Sequence, residues 1–209
     1  MEIQYLGHSC FLLTAKGGTT ILTDPYTRVG YELPKEISVD IVTSSHGHFD
    51  HAYLQGVQYK TLVDKAGQQS FDIIGIESFH DSKQGALRGK NIIFKITVDG
   101  ITFCHLGDLG EEYNSDLIEK IGKVDVLLLP MGGTYTIDAE QAKAYMGAIK
   151  PKTVIPMHYR PADGALDIDG AERFLALFAE TQIERIPSGK TEYALEEPRK
   201  PILFMERVK

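Results

Sequence analysis

The chain has no long apolar run: Val126-Leu127-Leu128-Leu129 and stretches like it are far too short to span a bilayer. Met1-Glu2-Ile3-Gln4-Tyr5 has neither the basic stretch nor the apolar segment of a secretory leader. A cytoplasmic protein with no membrane partner is expected. Cysteine is scarce as well; Cys10 and Cys104 stand alone, which excludes a disulfide framework and fits reduced thiols in a core. Lys and Arg number 22 against 29 Asp and Glu and are scattered, so the net charge of −7 argues against nucleic acid or an anionic membrane as partner. No Pro/Ser-rich linker or low-complexity segment divides the 209 residues, and residues 1–209 read as a single domain with one sizeable core.

Histidine is sparse too, yet three of the seven fall in His46-Gly47-His48-Phe49-Asp50-His51, together with an aspartate. Neutral imidazole and carboxylate are ligands that zinc and similar metals prefer. The helical His-x-x-x-His spacing is absent; the hexapeptide follows a β-branched strand, Val39 to Thr43. If it continues extended, His46, His48 and Asp50 share a face and His51 turns to the next position. The bland reading, chance clustering or the cap of a helix starting near Ala52, would leave packed imidazoles repelling on protonation and their donors unsatisfied.

Strand patterns precede the hexapeptide at Glu2 to Leu6, Cys10 to Ala15 and Thr19 to Thr23, an antiparallel meander. More follow at Lys60 to Val63, Phe71 to Ser78, Asn91 to Val98 and Ile101 to Leu106, with Asp99-Gly100 as a tight hairpin signal. From Tyr113 strands and helices alternate: helix Ser115 to Ile121, strand Val124 to Leu129, helix Ala139 to Ile149, strand Thr153 to Met157 and helix Gly170 to Glu180. Asp138 and Gln141 form a capping-box pattern, Pro151 lies just beyond that helix, and Thr191 to Leu195 with Ile202 to Phe204 are expected as edge strands. The class is α/β (α+β). His80, His105 with Asp108, and His158 each follow a strand, at edges where sites gather.

Taken in order, Thr23-Asp24-Pro25-Tyr26, His46-x-His48-x-Asp50-His51, a later histidine, Gly107-Asp108 and Pro156-Met157-His158-Tyr159 resemble the metallo-β-lactamase superfamily over nearly the whole chain. Leu6-Gly7-His8-Ser9 is similar to the branch holding ascorbate-6-phosphate lactonase and N-acyl-phosphatidylethanolamine phospholipase D. The resemblance implies a four-layer αββα sandwich. It also implies two divalent metal ions, Zn2+ first with Mn2+ or Fe2+ as alternatives: His46, His48 and His80 on one, Asp50, His51 and His158 on the other, and Asp108 as bridge. Diiron relatives carry glutamate where His48 stands, so histidine favours zinc hydrolysis. His105 competes with His80 and otherwise sits behind the ligands. His8 is a structural histidine or a pocket residue, the branch resemblance favouring the pocket, and Asp24 is expected to orient a ligand histidine.

Met131 to Tyr135 is a substrate loop or a plain turn, Tyr159 is expected to face away from the site, and Gly85, Arg88 and Gly89 are candidates for a loop over it. The implied chemistry is attack by metal-bound hydroxide on a small, anionic ester, lactone or phosphodiester, with Asp50 or Asp108 relaying the proton and His8 touching substrate. A non-catalytic metal-binding sensor and an RNA- or DNA-processing phosphodiesterase are the rivals. A homo-oligomer is compatible with the sequence.

Overall fold

The structure, a computed structural model, describes residues 1–67 and 69–208. Among them two sheets face each other. The first holds the antiparallel strands β1 (Glu2–Gly7), β2 (Cys10–Thr14) and β3 (Thr20–Thr23), then β4 (Ser38–Thr43) and β5 (Gln58–Val63) in parallel, with β13 (Lys190–Glu192) on the far edge beside β1. Period-two alternation divides its side chains. Ile3, Tyr5, Leu13, Ile21 and Ile41 enter the core between the sheets, while Leu6, Cys10, Leu22 and Val42 join Tyr26 and Val29 in a smaller cluster on the other face.

The second sheet starts antiparallel with β6 (Gln69–Ser70), β7 (Ile73–Phe79), β8 (Lys90–Val98) and β9 (Ile101–His105). It continues in parallel through β10 (Val126–Pro130), β11 (Thr153–Met157), β14 (Ile202–Met205) and β12 (Ile183–Ile186). Asp99 and Gly100, at φ 52° and 76°, make the tight turn between β8 and β9. Leu127, Leu128 and Leu129 are fully buried, as a parallel strand covered on both faces requires. The covering helices are α1 (Ser115–Ile121), α2 (Ala139–Ile149) and α3 (Glu172–Leu175); α2 turns Ala139, Ala142, Tyr145 and Ile149 inward. Its start is the capping box of Asp138 and Gln141 anticipated from sequence.

The mixed α/β sandwich therefore stands, with a difference of detail: the layer outside the first sheet is loop and a single 3-10 turn, Leu54–Gly56, where a helix from Ala52 was expected. The hexapeptide is not extended either. Ser44 Oγ donates to the carbonyls of both His46 and His51, and the amides of His51 and Ala52 return to His48 O, closing it into a turn. The expected helix over 170–180 shortens because the amides of Leu177 and Phe178 bond three residues back and the chain turns toward β12, a strand the sequence reading missed. Only β13 of the expected terminal pair is an edge; β14 lies inside the second sheet, its Ile202 and Leu203 fully buried. Among the described residues no helix is long and apolar enough to cross a membrane. Cys10 and Cys104 are free and buried.

Candidate metal centre

Strand ends from both sheets deliver the candidate ligands to one place. His8 follows β1, the hexapeptide follows β4, His80 follows β7, Asp108 follows β9 and His158 follows β11. Turning from a strand into a site takes unusual backbone: His8, Asp24 and His158 have φ of 53°, 39° and 53°. Each non-glycine residue held so costs about 1–3 kcal/mol and persists because its surroundings fix it. His158 N donates to His8 O at 2.9 Å, and His8 N donates to Tyr31 Oη at 3.0 Å, so the two histidines are clamped by their main chains. Gly107 and Gly132 are needed for close approach. A Cβ at Gly107 would stand 2.3 Å from Asn91 Oδ1, and one at Gly132 2.2 Å from His158 O.

Asp108 is the hub. Its oxygens lie 3.0 Å from His51 Nε2, 3.2 Å from His80 Nε2, 3.3 Å from His158 Nε2 and 3.8 Å from His46 Nε2. His8 Nε2 and His51 Nε2 lie 3.3 and 3.8 Å from Asp50 Oδ2. Most of these exceed a charged hydrogen bond and fall near the roughly 3.3 Å between two ligands of one tetrahedral ion with bonds of about 2.0–2.1 Å. The Nε2 atoms of His8, His46, His51 and His158 and Oδ1 of Asp108 are buried without a hydrogen-bond partner. At about 1–3 kcal/mol for each buried unsatisfied group, such a convergence needs a shared partner. Donor atoms of His8, Asp50, His51 and His158 lie within 4.8 Å of one another, as do those of His46, His48 and His80 and those of His46, His51 and Asp108. The donor set fits divalent metal.

The network also presents lone pairs in the right direction. His51 Nδ1–H donates to Asp24 Oδ2 at 2.7 Å, and His80 Nδ1–H to Tyr135 O at 3.0 Å. Ser45 Oγ donates to Asp24 Oδ2 and accepts from His46 Nδ1 at 3.0 Å. In its neutral form each of these rings is thereby left with a bare Nε2. His105 is the contrast. Its Nε2–H donates to Ser9 O at 2.8 Å and its Nδ1 accepts from Gly107 N at 3.1 Å, so no lone pair remains for an ion. Of the two competitors, only His80 is brought into the cluster.

Charge follows the same pattern. Burial, with His158 adding for His8 and His51 for His46, pushes the imidazole of His8 down to about 4 and that of His46 down to about 3, keeping both neutral. Burial alone would raise Asp108, but the facing His158 and His51 outweigh it and hold the carboxyl well below the ordinary range. Asp50 behaves likewise through His8 and His51. Burial would lower His51, yet Asp108 and Asp24 outweigh it and hold that ring well above the usual imidazole value. The carboxylates thus demand positive charge at their centre.

Asp24 makes the histidine contact expected of it, accepting from His51 Nδ1, and Tyr159 faces away, its hydroxyl donating to Met205 O. Three supports were not anticipated. Asn91, fully buried, accepts from Asp108 N at 2.9 Å and donates to Leu106 O; a lone amide opening an apolar strand was the available signal. Ser45 links Asp24 to His46. Asp81 accepts the amides of Lys83, Gly85, Leu87 and Arg88 and gathers the β7–β8 loop behind His80, as an aspartate before a polar turn can. Beside the cluster opens a cavity of about 320 Å³ lined by His48, Phe49, Asp50, His80, Arg88, Asp108, Tyr135 and Leu166. The loop over 131–135 therefore reaches the site through Tyr135.

The profile of the Beta-lactamase superfamily domain matches residues 2–158. A UPF0173 metal-dependent hydrolase of Pelotomaculum thermopropionicum is 31% identical in a 220-residue alignment covering 88% of this chain and 95% of the relative. Another, from an Anaeromyxobacter species, is 30% identical over an alignment of 251 positions, covering 97% and 86%. A crystal structure from Thermotoga maritima, described as a candidate Zn-dependent hydrolase of the metallo-β-lactamase superfamily, superposes with a TM-score of 0.79 at 35% identity, covering 98% of this chain and 97% of that one. Fold and site define an enzyme of the metallo-β-lactamase superfamily. Within it, the chain belongs to the UPF0173 metal-dependent hydrolases.

Proposed function

We propose that the chain, as a single domain over residues 1–209, is a dinuclear hydrolase of the zinc type acting in the cytosol on a small, anionic ester, lactone or phosphodiester. The observation that carries this reading is the set of buried, unpartnered imidazole nitrogens converging on Asp108. His46, His48 and His80 would hold one ion, Asp50, His51 and His158 the other, and Asp108 both. Bound there, such ions supply Lewis-acid polarisation of an oxygen and draw the pKa of water toward neutrality.

The chain's own residues do the rest. Asp24 fixes the His51 tautomer and Tyr135 O that of His80, so both rings keep Nε2 toward the centre. Asp50, whose Oδ2 faces His8 Nε2 at 3.3 Å, would take and pass a proton at that oxygen, and His8, buried and outside the cavity's lining, would act through Asp50 rather than on the substrate directly. Phe49, Tyr135 and Leu166 keep water from the cavity's apolar wall. His8 within Leu6-Gly7-His8-Ser9 also supports kinship with the lactonase-like branch. The test is elemental analysis after loading with zinc or manganese, with a screen over ester, lactone and phosphodiester substrates. About two ions per chain and turnover in one class are expected. Saturation at one ion or fewer sinks the dinuclear assignment, and fully loaded protein inert on every class sinks the hydrolase reading.

A further inference from the structure

Arg160, Arg173, Arg185, Arg199 and Arg207 each pair with an Asp or Glu. Arg88 has no such partner among the described residues, although it is half-buried and lines the cavity beside His48, His80 and Asp108. Its guanidinium lies over the ring of Tyr135, 5.5 Å from the centroid. Tyr135 also braces His80 through its carbonyl, so one residue ties this cation to the metal cluster. The backbone is fixed as well: Arg88 N donates to Asp81 Oδ2 at 2.8 Å, and the loop closes where His80 N meets Gly89 O at 3.1 Å. An ordered cation without an ion pair of its own, in a small cavity where apolar side chains face the Asp50 and Asp108 end, is a recognition group whose ordering cost is met before the ligand arrives.

We infer that Arg88 is a substrate-positioning residue, gripping an anionic end group of the substrate, carboxylate or phosphate, while the bond to be cut lies at the His/Asp cluster. This deepens the hydrolase reading of the same cavity and rests on it. A planar guanidinium matches either oxyanion with paired donors, and Phe49, Leu166 and the Tyr135 ring suit an apolar segment between the two ends. The substrate class is therefore a small molecule with an anionic terminus and an apolar middle. A neutral ester would forgo the Arg88 contact.

The experiment measures binding of phenylacetate, benzylphosphonate and phenylacetamide to metal-loaded wild-type protein, Arg88→Gln and Arg88→Lys by calorimetry, with metal content checked in each. Wild type should prefer at least one anion over the amide by about 10- to 100-fold, the range of a charge-assisted contact. Arg88→Gln should abolish that preference at unchanged metal content, and Arg88→Lys should restore part of it. Which anion is preferred separates carboxylate from phosphate. A preference that survives in Arg88→Gln arises at the ions and overturns the proposal, as does failure of all three probes to bind wild type. With an active substrate in hand, the loss in Arg88→Gln should appear in KM. Lost anion binding in a protein that hydrolyses nothing keeps Arg88 and removes the hydrolase reading; turnover blind to Arg88 does the reverse.

Discussion

The two halves of the candidate centre both present imidazoles, the inner one adding the Asp50 carboxylate, and they are built differently. The inner half, His8, Asp50, His51 and His158, is buried, with both His51 and His158 at 0% exposure. It is clamped by main-chain bonds between strand ends of opposite sheets and by the buried carboxylate of Asp24. The outer half, His46, His48 and His80, rests on a surface turn that exposes His48 and Phe49, and on the β7–β8 loop. Rigidity here follows from where the supports come from: opposed strand ends resist opening, whereas a turn and a hairpin loop open locally at low cost. On the proposed assignment, the inner ion should be the last to leave on chelation.

Asp108→Asn should have the largest effect, because this carboxylate faces imidazoles of both halves. We expect both ions to weaken and turnover to fall by more than about 100-fold, beyond what loss of an outer support typically costs, with the fold retained by circular dichroism. Full loading and retained turnover would show that nothing bridges the halves.

His80→Ala should remove the outer ion and spare the inner one. His105→Gln should spare both, since each nitrogen of His105 is already committed to backbone. Its penalty belongs in stability, about 1–3 kcal/mol for the buried groups left unpaired, read from denaturant unfolding. An ion lost from His105→Gln but kept in His80→Ala would reverse the assignment. Asp24→Asn comes next, with a loss of inner-ion affinity of about 10–100-fold in metal titration and a smaller loss at the outer ion, which Asp24 reaches only through Ser45 and His46. If the outer ion is lost first in that variant, the contrast between the halves fails.

How much of this was legible beforehand depends on the range of each interaction. His46, His48, Asp50 and His51 announce themselves because the donors are local, and Gly107-Asp108 and His158 are marked by the strands before them. α1, α2 and β11 were placed to the residue, since caps and periodicity are local too. The conformation of the hexapeptide was misjudged because the Ser44 hydroxyl closes it, a contact no alternation pattern encodes. β12, Ile183-Glu184-Arg185-Ile186, is short and charged, and only its pairing with β14 makes it a strand. Asn91 and Asp81 escaped for a related reason: their partners are mostly backbone groups, with the Ser78 hydroxyl for Asn91, whose positions exist only after folding.

Asp81 gives the smallest expected effect and the sharpest view of the outer half. Its burial would raise the carboxyl, but the amides of Arg88, Lys83, Leu87 and Gly85 outweigh this and hold it below the ordinary carboxylate value. Because the folded-state pKa lies below the unfolded one, the loop's added stability is present above the unfolded value, near 3.9, and is lost as pH falls through the folded one. Protection factors for these four amides, measured by NMR, should therefore hold at neutral pH and drop in acid. In Asp81→Asn they should already be low at neutral pH, near the wild type's acid level, and show no acid step. Outer-ion affinity should fall by less than about 10-fold, because His80 keeps its bond to Tyr135 O while only the loop behind it loosens. An unchanged inner ion in the same variant would sharpen the contrast. Loss of the inner ion from Asp81→Asn would show that the two halves are mechanically one.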